Sequence, residues 1–467
     1  MDIETAYQQA LDYLYSFVDY SLTRAFRYSP EKFDLTRMKK LLERLDNPHL
    51  KYKVIHLAGT KGKGSTASMI ANALVSEGYK VGFYTSPHLV DFTERIQVNG
   101  HLIPRQSFVN IVESLKPHVE FIKEVTTFEL TTAVAFLYFV EQGVDIAVVE
   151  VGLGGRLDAT NMVDPLVSVI TSISYDHMAV LGNTLTSIAT EKAGIIKEDH
   201  PVVVSPQKGE ALRAIQKVAH EKNAPITLVG VDYLFKLEEH SLDGQTLLIW
   251  HNDKQSLMDR YLEHPESSVW QPTRLKIPLL GFHQLENAAT AYAALMVARD
   301  HGLAIRDEAI AEGFATVFWP CRFEVMQREP LLIVDSAHNR DSALRLRLAI
   351  DDYLPGKPIV LLFGASEDKD VKGMFTELLP RTHFLIATES IHPRAFEASK
   401  LVEIAHQFGS QAKAVVPVEL AIQEALALAE QENAVVVVAG SLFVAAAVRE
   451  IWVKMGRSLQ VFETAAV

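Results

Sequence analysis

Short runs of β-branched and apolar residues recur along the chain and alternate with longer stretches of helical periodicity. Val54–Leu57, Val81–Tyr84, Ile146–Val151, Val167–Ile173 and Pro201–Ser205 predict strands, and Thr66–Ser76 and Leu130–Glu141 predict amphipathic helices between them. Strand and helix in alternation imply a parallel sheet with helices on both faces. Continuous apolar strands are what a sheet buried on both sides requires. From about Leu228 to Ile277 the pattern changes. Thr246–Trp250 and Arg274–Pro278, separated by polar, acidic turns, predict a few antiparallel strands. An alanine-rich helix follows at Gln284–Arg299, and the alternation then restarts with strands at Leu331–Asp335, Ile359–Phe363, Phe384–Thr388, Lys413–Pro417 and Ala434–Ala439. Trp319-Pro320 breaks the preceding helical pattern. The expected organisation is a larger α/β unit, residues 1–318, and a smaller Rossmann-like α/β unit, residues 319–467, with a two-substrate site in the cleft between them.

Composition narrows the classes. A chain of 467 residues with 48% apolar positions can bury large cores, and its formal net charge of -13 argues against a nucleic-acid binder. An anionic substrate stays possible, because a local lysine cluster can hold one inside an acidic protein. The single cysteine, Cys321, excludes an intrachain disulfide and fits a reducing compartment. The start, Met1 to Thr5, lacks the basic and apolar runs of a signal peptide. The apolar stretch Ala434–Val448 is interrupted by Gly440-Ser441 and is shorter than the roughly 20 residues of a membrane helix. It reads as strand, turn and helix. The expectation is a cytoplasmic monomer that binds neither membrane nor nucleic acid.

The strongest local chemistry lies at residues 54–66. A strand runs into Gly59-Thr60-Lys61-Gly62-Lys63-Gly64, and a helix begins at Ser65-Thr66. Glycines let backbone N–H groups approach phosphate oxygens, and a helix N-terminus adds partial positive charge. Lys63 would bridge two phosphates, and Ser65 or Thr66 offers a hydroxyl to phosphate or Mg²⁺. The spacing departs from the strict phosphate-loop pattern: Leu57 stands where its first glycine belongs, and Gly64 where its hydroxyl residue belongs. A ligand-free turn is the plainer alternative, but each glycine carries an entropic cost that a mere turn would not justify.

Further along, acids and histidines collect at strand ends, where open α/β sheets bind ligands. Glu150 precedes the glycine run Gly152–Gly155, and a hard carboxylate there suits Mg²⁺. The next strand ends in Asp176-His177, and Asp335 ends a later one, close to His338. Asp335 could equally cap a helix. Taken alone, Lys192 reads as a solvated lysine, Asn287 as part of a helix start or as a group facing a base or ribose, and Arg322 as a surface arginine or as one reaching back across the cleft to ATP.

Together these segments resemble the folylpolyglutamate synthase and dihydrofolate synthase family of the Mur ligase superfamily. The resemblance runs from about Pro30 to Val444 and rests on residues 59–65, Thr85–Leu89, Glu150–Gly155, Asp176-His177, Glu191–Lys197, His283–Ala288 and Asp335–Asn339, in that order. It implies a P-loop ATPase domain with a small antiparallel subsheet. It also implies an ATP site from residues 59–66 with Asn287, Arg322 and Asp335, and Mg²⁺ ligation by Ser86, Glu150 and His177. Lys192 matches a lysine that is carbamylated in the superfamily and so could help hold a second metal. Asp158, beside Arg156, matches members that also accept dihydropteroate. Lys63, Lys192 and His338 are the candidate catalytic groups, with His338 a candidate base for the glutamate amine. The implied reaction joins L-glutamate to a folate carboxylate through an acyl phosphate made from ATP. Two departures stand out: Cys321 and Ser336 occupy positions often held by glycine. The rivals are another Mur-type ligase, which would need a uridine-nucleotide site, and a nucleotide-switch module, which would not need Glu150, His177 and Lys192 together.

Overall fold

The structure is a computed structural model that describes residues 2–18, 34–457 and 463–464; Met1 and Pro30 lie outside the described residues. The first sheet contains β1 (Lys53–Ala58), β2 (Val81–Tyr84), β3 (Ile96–Val98), β4 (His101–Leu102), β5 (Ile146–Glu150), β6 (Val167–Ile170), β7 (Val202–Val204) and β8 (Ile226–Leu228). Strands β2, β5, β1, β6, β7 and β8 lie side by side in that order, all parallel, while β3 and β4 add antiparallel at one edge. The central strands β1, β5 and β6 are buried almost throughout. On one face Ile55, Leu57 and Val148 pack under the helices Lys63–Glu77 and Phe282–Asp300. On the other, Val54, Ala147 and Val149 pack under the helices Arg105–Val119 and Thr127–Glu141.

The antiparallel region is a three-stranded sheet of β9 (Tyr233–Ser241), β10 (Gly244–His251) and β11 (Thr273–Ile277), with β10 central. The acidic segment between β10 and β11 forms the short helix Gln255–Glu263. The remaining sheet takes β12 (Glu324–Arg328), β13 (Leu331–Val334), β14 (Ile359–Phe363), β15 (Phe384–Ala387), β16 (Ala412–Ala414) and β17 (Val435–Ala439) in the order β12-β13-β17-β14-β15-β16. Its strands run parallel except for β12, which pairs antiparallel with β13. One more strand, β18 (Glu463–Thr464), pairs with β4, so the chain end returns to the first sheet. Among the described residues no helix is long and apolar enough to cross a membrane.

Several boundaries move for identifiable reasons. Val167–Ile173 is expected as one strand, but the ladder stops at Ile170 because the carbonyl of Ser172 turns to accept the Thr60 and Lys61 N–H groups at 2.9 and 3.1 Å. The expected strand Lys413–Pro417 ends at Ala414, since Pro417 begins the helix Val418–Glu432 as its cap. The helix expected from Ser65-Thr66 starts earlier, at Lys63, on a left-handed Gly62. The alanine-rich helix expected at Gln284–Arg299 begins two residues earlier, at Phe282, so His283 lies in its first turn.

Candidate active site

The phosphate loop hangs between two central strands. The Thr60 and Lys61 N–H groups are held by Ser172 beyond β6, and the Thr60 hydroxyl donates to the Ser174 carbonyl at 3.2 Å. Two of its glycines answer to close neighbours. A Cβ on Gly59 would meet Thr171 Oγ1 at 1.8 Å, and one on Gly64 would meet the Trp319 ring at 2.6 Å. The indole therefore explains why glycine stands where the strict pattern has a hydroxyl residue. Leu57, the other departure, is a fully buried core residue of β1, so the turn begins only at Gly59.

Lys63, the first residue of its helix, points its ammonium to within 3.5 Å of Glu150 Oε1 at the end of β5. The other Glu150 oxygen accepts the hydroxyl of Thr85. Ser86, Glu150, Gly64, Trp319 and Arg322 line one cavity. Sequence reasoning passed over Thr85, although it adjoins Ser86 in a quoted motif. The structure gives it the task of orienting the glutamate.

Past β6, Asp176 accepts Lys61 Nζ at 2.9 Å and Asn339 Nδ2 at 3.0 Å, and its other oxygen accepts the His177 N–H. Burial alone would raise its carboxyl, yet the Lys61 ammonium and His177 hold it well below the usual carboxylate range. His177 sits in a left-handed conformation with its ring exposed. Lys192, near the end of the helix Leu185–Ala193, is only 5% exposed. Burial, followed by the neighbouring Lys63 ammonium, pushes its amine down to about 7. Gly155 lets the glycine loop lie directly on this helix end, because a Cβ there would come within 2.9 Å of the Lys192 carbonyl.

Asp158 is buried, and its carboxylate accepts the Leu153 N–H at 2.8 Å and the Thr160 N–H at 3.0 Å. It also takes the Thr160 hydroxyl, while burial raises its pKa. Arg156 is exposed and pairs with Glu191 at 2.8 Å. Asn287 lies against the phosphate loop: a Cβ on Gly62 would meet its Oδ1 at 2.2 Å, and its amide donates to Gln284.

From the C-terminal sheet, Arg322 donates to the Cys321 carbonyl at 3.0 Å and to the Ser336 hydroxyl. Cys321 keeps a left-handed backbone, φ 57°, the conformation for which glycine is usual, with its thiol buried. Ser336 supplies the partner for Arg322 that a glycine could not. Asp335 accepts the N–H groups of Phe323 and Ala337, both at 2.8 Å. His338 Nδ1 lies 2.9 Å from the Ser336 carbonyl. A carbonyl can only accept, so Nδ1 carries the proton and Nε2 is bare. Burial, followed by the Lys61 ammonium, holds this ring down at about 3.

Ser65 and Thr66 are buried in the first turn of the Lys63 helix. Among the described residues no group of three or more His, Cys, Asp or Glu side chains forms a metal cluster. The donors that meet at the loop are instead a carboxylate and a serine hydroxyl, hard oxygens of the kind Mg²⁺ takes together with phosphate and water.

Comparison with known proteins gives likenesses that span most of the chain. The family described as "Mur ligase middle domain" matches residues 57–295, and "Mur ligase, glutamate ligase domain" matches residues 321–442. A dihydrofolate synthase/folylpolyglutamate synthase of Bacillus subtilis is 36% identical over 406 residues, 85% of this chain and 89% of that protein. The crystal structure of a folylpolyglutamate synthase from Thermotoga maritima superposes with a TM-score of 0.81 at 34% identity, covering 97% of this chain and 98% of that one. Escherichia coli FolC in complex with DHPP and ADP gives a TM-score of 0.81 at 31% identity, with coverage of 97% and 98%. The chain belongs to the Mur ligases and, within them, to the dihydrofolate synthase/folylpolyglutamate synthase family.

Proposed function

We propose that this chain, an ATP-dependent ligase of glutamate to folates by its family, both extends tetrahydrofolate glutamates and converts dihydropteroate to dihydrofolate. The observation that carries the reading is the meeting of Lys63 with Glu150 at 3.5 Å, on a phosphate loop that faces Arg322 and Asn287. Among the described residues no feature favours a uridine-nucleotide ligase or a nucleotide switch.

An amine cannot displace oxide from a carboxylate, so the carboxylate must first be activated. In this reading the loop amides and Lys63 hold the triphosphate in line with the folate carboxylate, and the γ-phosphoryl passes to it. Such transfer needs chiefly positioning and charge neutralisation. The glutamate ammonium gives up a proton to solvent, and the amine attacks the acyl carbon, so that the C–N bond forms as the C–O bond to phosphate breaks and phosphate leaves. Lys63 and the loop N–H groups also stabilise the tetrahedral oxyanion. Ser86, Glu150 and His177 would hold Mg²⁺, which neutralises phosphate charge when bound. His338, with Nε2 bare and its pKa low, acts as a hydrogen-bond acceptor that orients the glutamate ammonium more readily than as a resting base. Asn287, Arg322 and Asp335 frame the nucleotide side, with the domains divided at 318/319.

Lys192 is assigned the carbamate. An amine held near 7 has a substantial neutral fraction at neutral pH, and the neutral form is the one that adds CO₂. The modified side chain would be an anion facing Lys63. The chain is assigned to the cytoplasm as a monomer, a reading supported by its one buried cysteine for the compartment alone. Native mass spectrometry of protein prepared in ¹³C-bicarbonate reads both assignments. A single chain carrying one carbamate that Lys192→Ala removes is expected; an unmodified lysine or a dimer would contradict the respective assignment.

Asp158 is the assigned acceptor for the pterin amino and ring N–H groups, because dihydropteroate lacks a glutamate tail to bind. Its Oδ1 is taken up by the Thr160 N–H and hydroxyl, so Oδ2, which accepts the Leu153 N–H, is the oxygen assigned to the pterin. A site that hydrogen-bonds its substrate discriminates strongly. Asp158→Ala is therefore expected to lower turnover of dihydropteroate more than extension of tetrahydrofolate. Equal losses on both substrates would assign Asp158 to holding the loop alone.

A further inference from the structure

One oxygen of Asp176 receives a donor from each half of the molecule: Lys61 Nζ from the phosphate loop at 2.9 Å and Asn339 Nδ2 from the C-terminal region at 3.0 Å. Each of the three residues is also fastened to a separate element. The Lys61 N–H is held by Ser172 beyond β6. Asn339 Oδ1 accepts the Ser342 N–H at 3.0 Å and so caps the helix Arg340–Tyr353. The second Asp176 oxygen holds the His177 N–H at 3.0 Å. A shift of the loop, the helix or the His177 turn must therefore move the others.

A second bridge from the same helix runs alongside. Arg345 donates to Ser172 Oγ at 3.1 Å and to Glu286 at 3.3 Å. Ser172 is the residue whose carbonyl holds the loop, and Glu286 adjoins Asn287. Both bridges thus tie one helix of the C-terminal region to the supports of the phosphate loop.

We propose that Asp176 is a positioning residue that sets Lys61 in the phosphate loop and registers the C-terminal region on it through Asn339, so that the glutamate amine meets the activated carboxylate. On the proposed function the loop amides and Lys63 hold the triphosphate while Arg322 and Asp335 frame the nucleoside side, so loss of the bridge acts most on the later step in which glutamate must meet the activated carboxylate. The activity readout rests on the ligase reading; the exchange readout below does not.

The test uses the full chain with Asn339→Ser, Asn339→Asp, Asp176→Asn and the exchange double D176N/N339D. Serine and aspartate both keep a helix cap, so folding is preserved; serine removes the donor, and aspartate sets a second carboxylate against Asp176. Asn339→Ser is expected to lower kcat/KM for glutamate about tenfold, the size of a typical side-chain coupling, while affinity for a non-hydrolysable ATP analogue stays within about threefold. Asn339→Asp is expected to be worse, and the exchange double to recover about tenfold over Asn339→Asp, because it restores a donor–acceptor pair. Amide hydrogen exchange of residues 59–66 should quicken in Asn339→Ser with β10 unchanged. Glutamate kinetics within about twofold of wild type in both Asn339 variants, a double no better than N339D, or unchanged exchange in the loop would overturn the proposal. Wild-type protein with no ligase activity would instead remove the functional reading and leave the exchange test standing.

Discussion

Glu150 and Asp335 occupy equivalent addresses in two sheets, each a carboxylate at the C-terminal end of a buried parallel strand. Their surroundings give them different work. Glu150 has one oxygen on the Thr85 hydroxyl and the other 3.5 Å from Lys63, and it lines the cavity shared with Ser86 and Arg322. Asp335 has an oxygen on each of two backbone N–H groups, those of Phe323 and Ala337. Phe323 is in the left-handed region, φ 49°, a conformation that persists only where its surroundings hold it. The first carboxylate lines a cavity beside the phosphate loop. The second fixes the backbone that carries Arg322. A strand end is thus an address for function, and the partners decide whether the group there does chemistry or holds the frame.

Substitution separates the two roles. The largest effect is expected at the chemical end. Lys63→Ala should lower kcat by about 10²–10³-fold, as when a charge-stabilising contact made in the transition state is lost. Its thermal melting should stay close to wild type, and Glu150→Gln should behave likewise. Near-normal turnover of the Lys63 variant at saturating ATP would remove the lysine from the reaction. At the structural end, Asp335→Ala strands two backbone donors, each worth about 1–3 kcal/mol when left unpaired in a buried setting. It should lower the melting temperature measurably where Glu150→Gln does not. Equal melting of the two variants would erase the distinction.

How much of this could be read beforehand follows the same division. The parallel strands, the antiparallel insert and the phosphate loop were legible because burial on two faces demands continuous apolar runs and a phosphate cradle demands glycine. The insert contains strands whose apolar positions pack toward the core, such as Leu247 and Ile249. What stayed hidden depends on contacts between distant segments. Nothing local to Gly64 announces the Trp319 ring above it, and nothing near Asn339 announces Asp176. Thr85 was masked by the motif it belongs to, since a hydroxyl beside Ser86 gives no sign of which one meets Glu150. Arg345 is one of three arginines in its helix, with Arg340 and Arg347, and nothing in the local sequence singles it out. The departures Cys321 and Ser336 were visible as departures, but only the left-handed backbone and the Arg322 contact give them a physical meaning.

The central claim is that one site activates the carboxylate of either substrate and delivers it to glutamate. Mass spectrometry of the products formed from ATP and glutamate with either dihydropteroate or tetrahydrofolate tests it directly. The account predicts a gain of one glutamyl residue on dihydropteroate and of one or more on tetrahydrofolate, each matched by release of ADP and phosphate. Extension of tetrahydrofolate with no dihydrofolate formed would contradict the dual-substrate claim, and no glutamyl product from either would contradict the account as a whole.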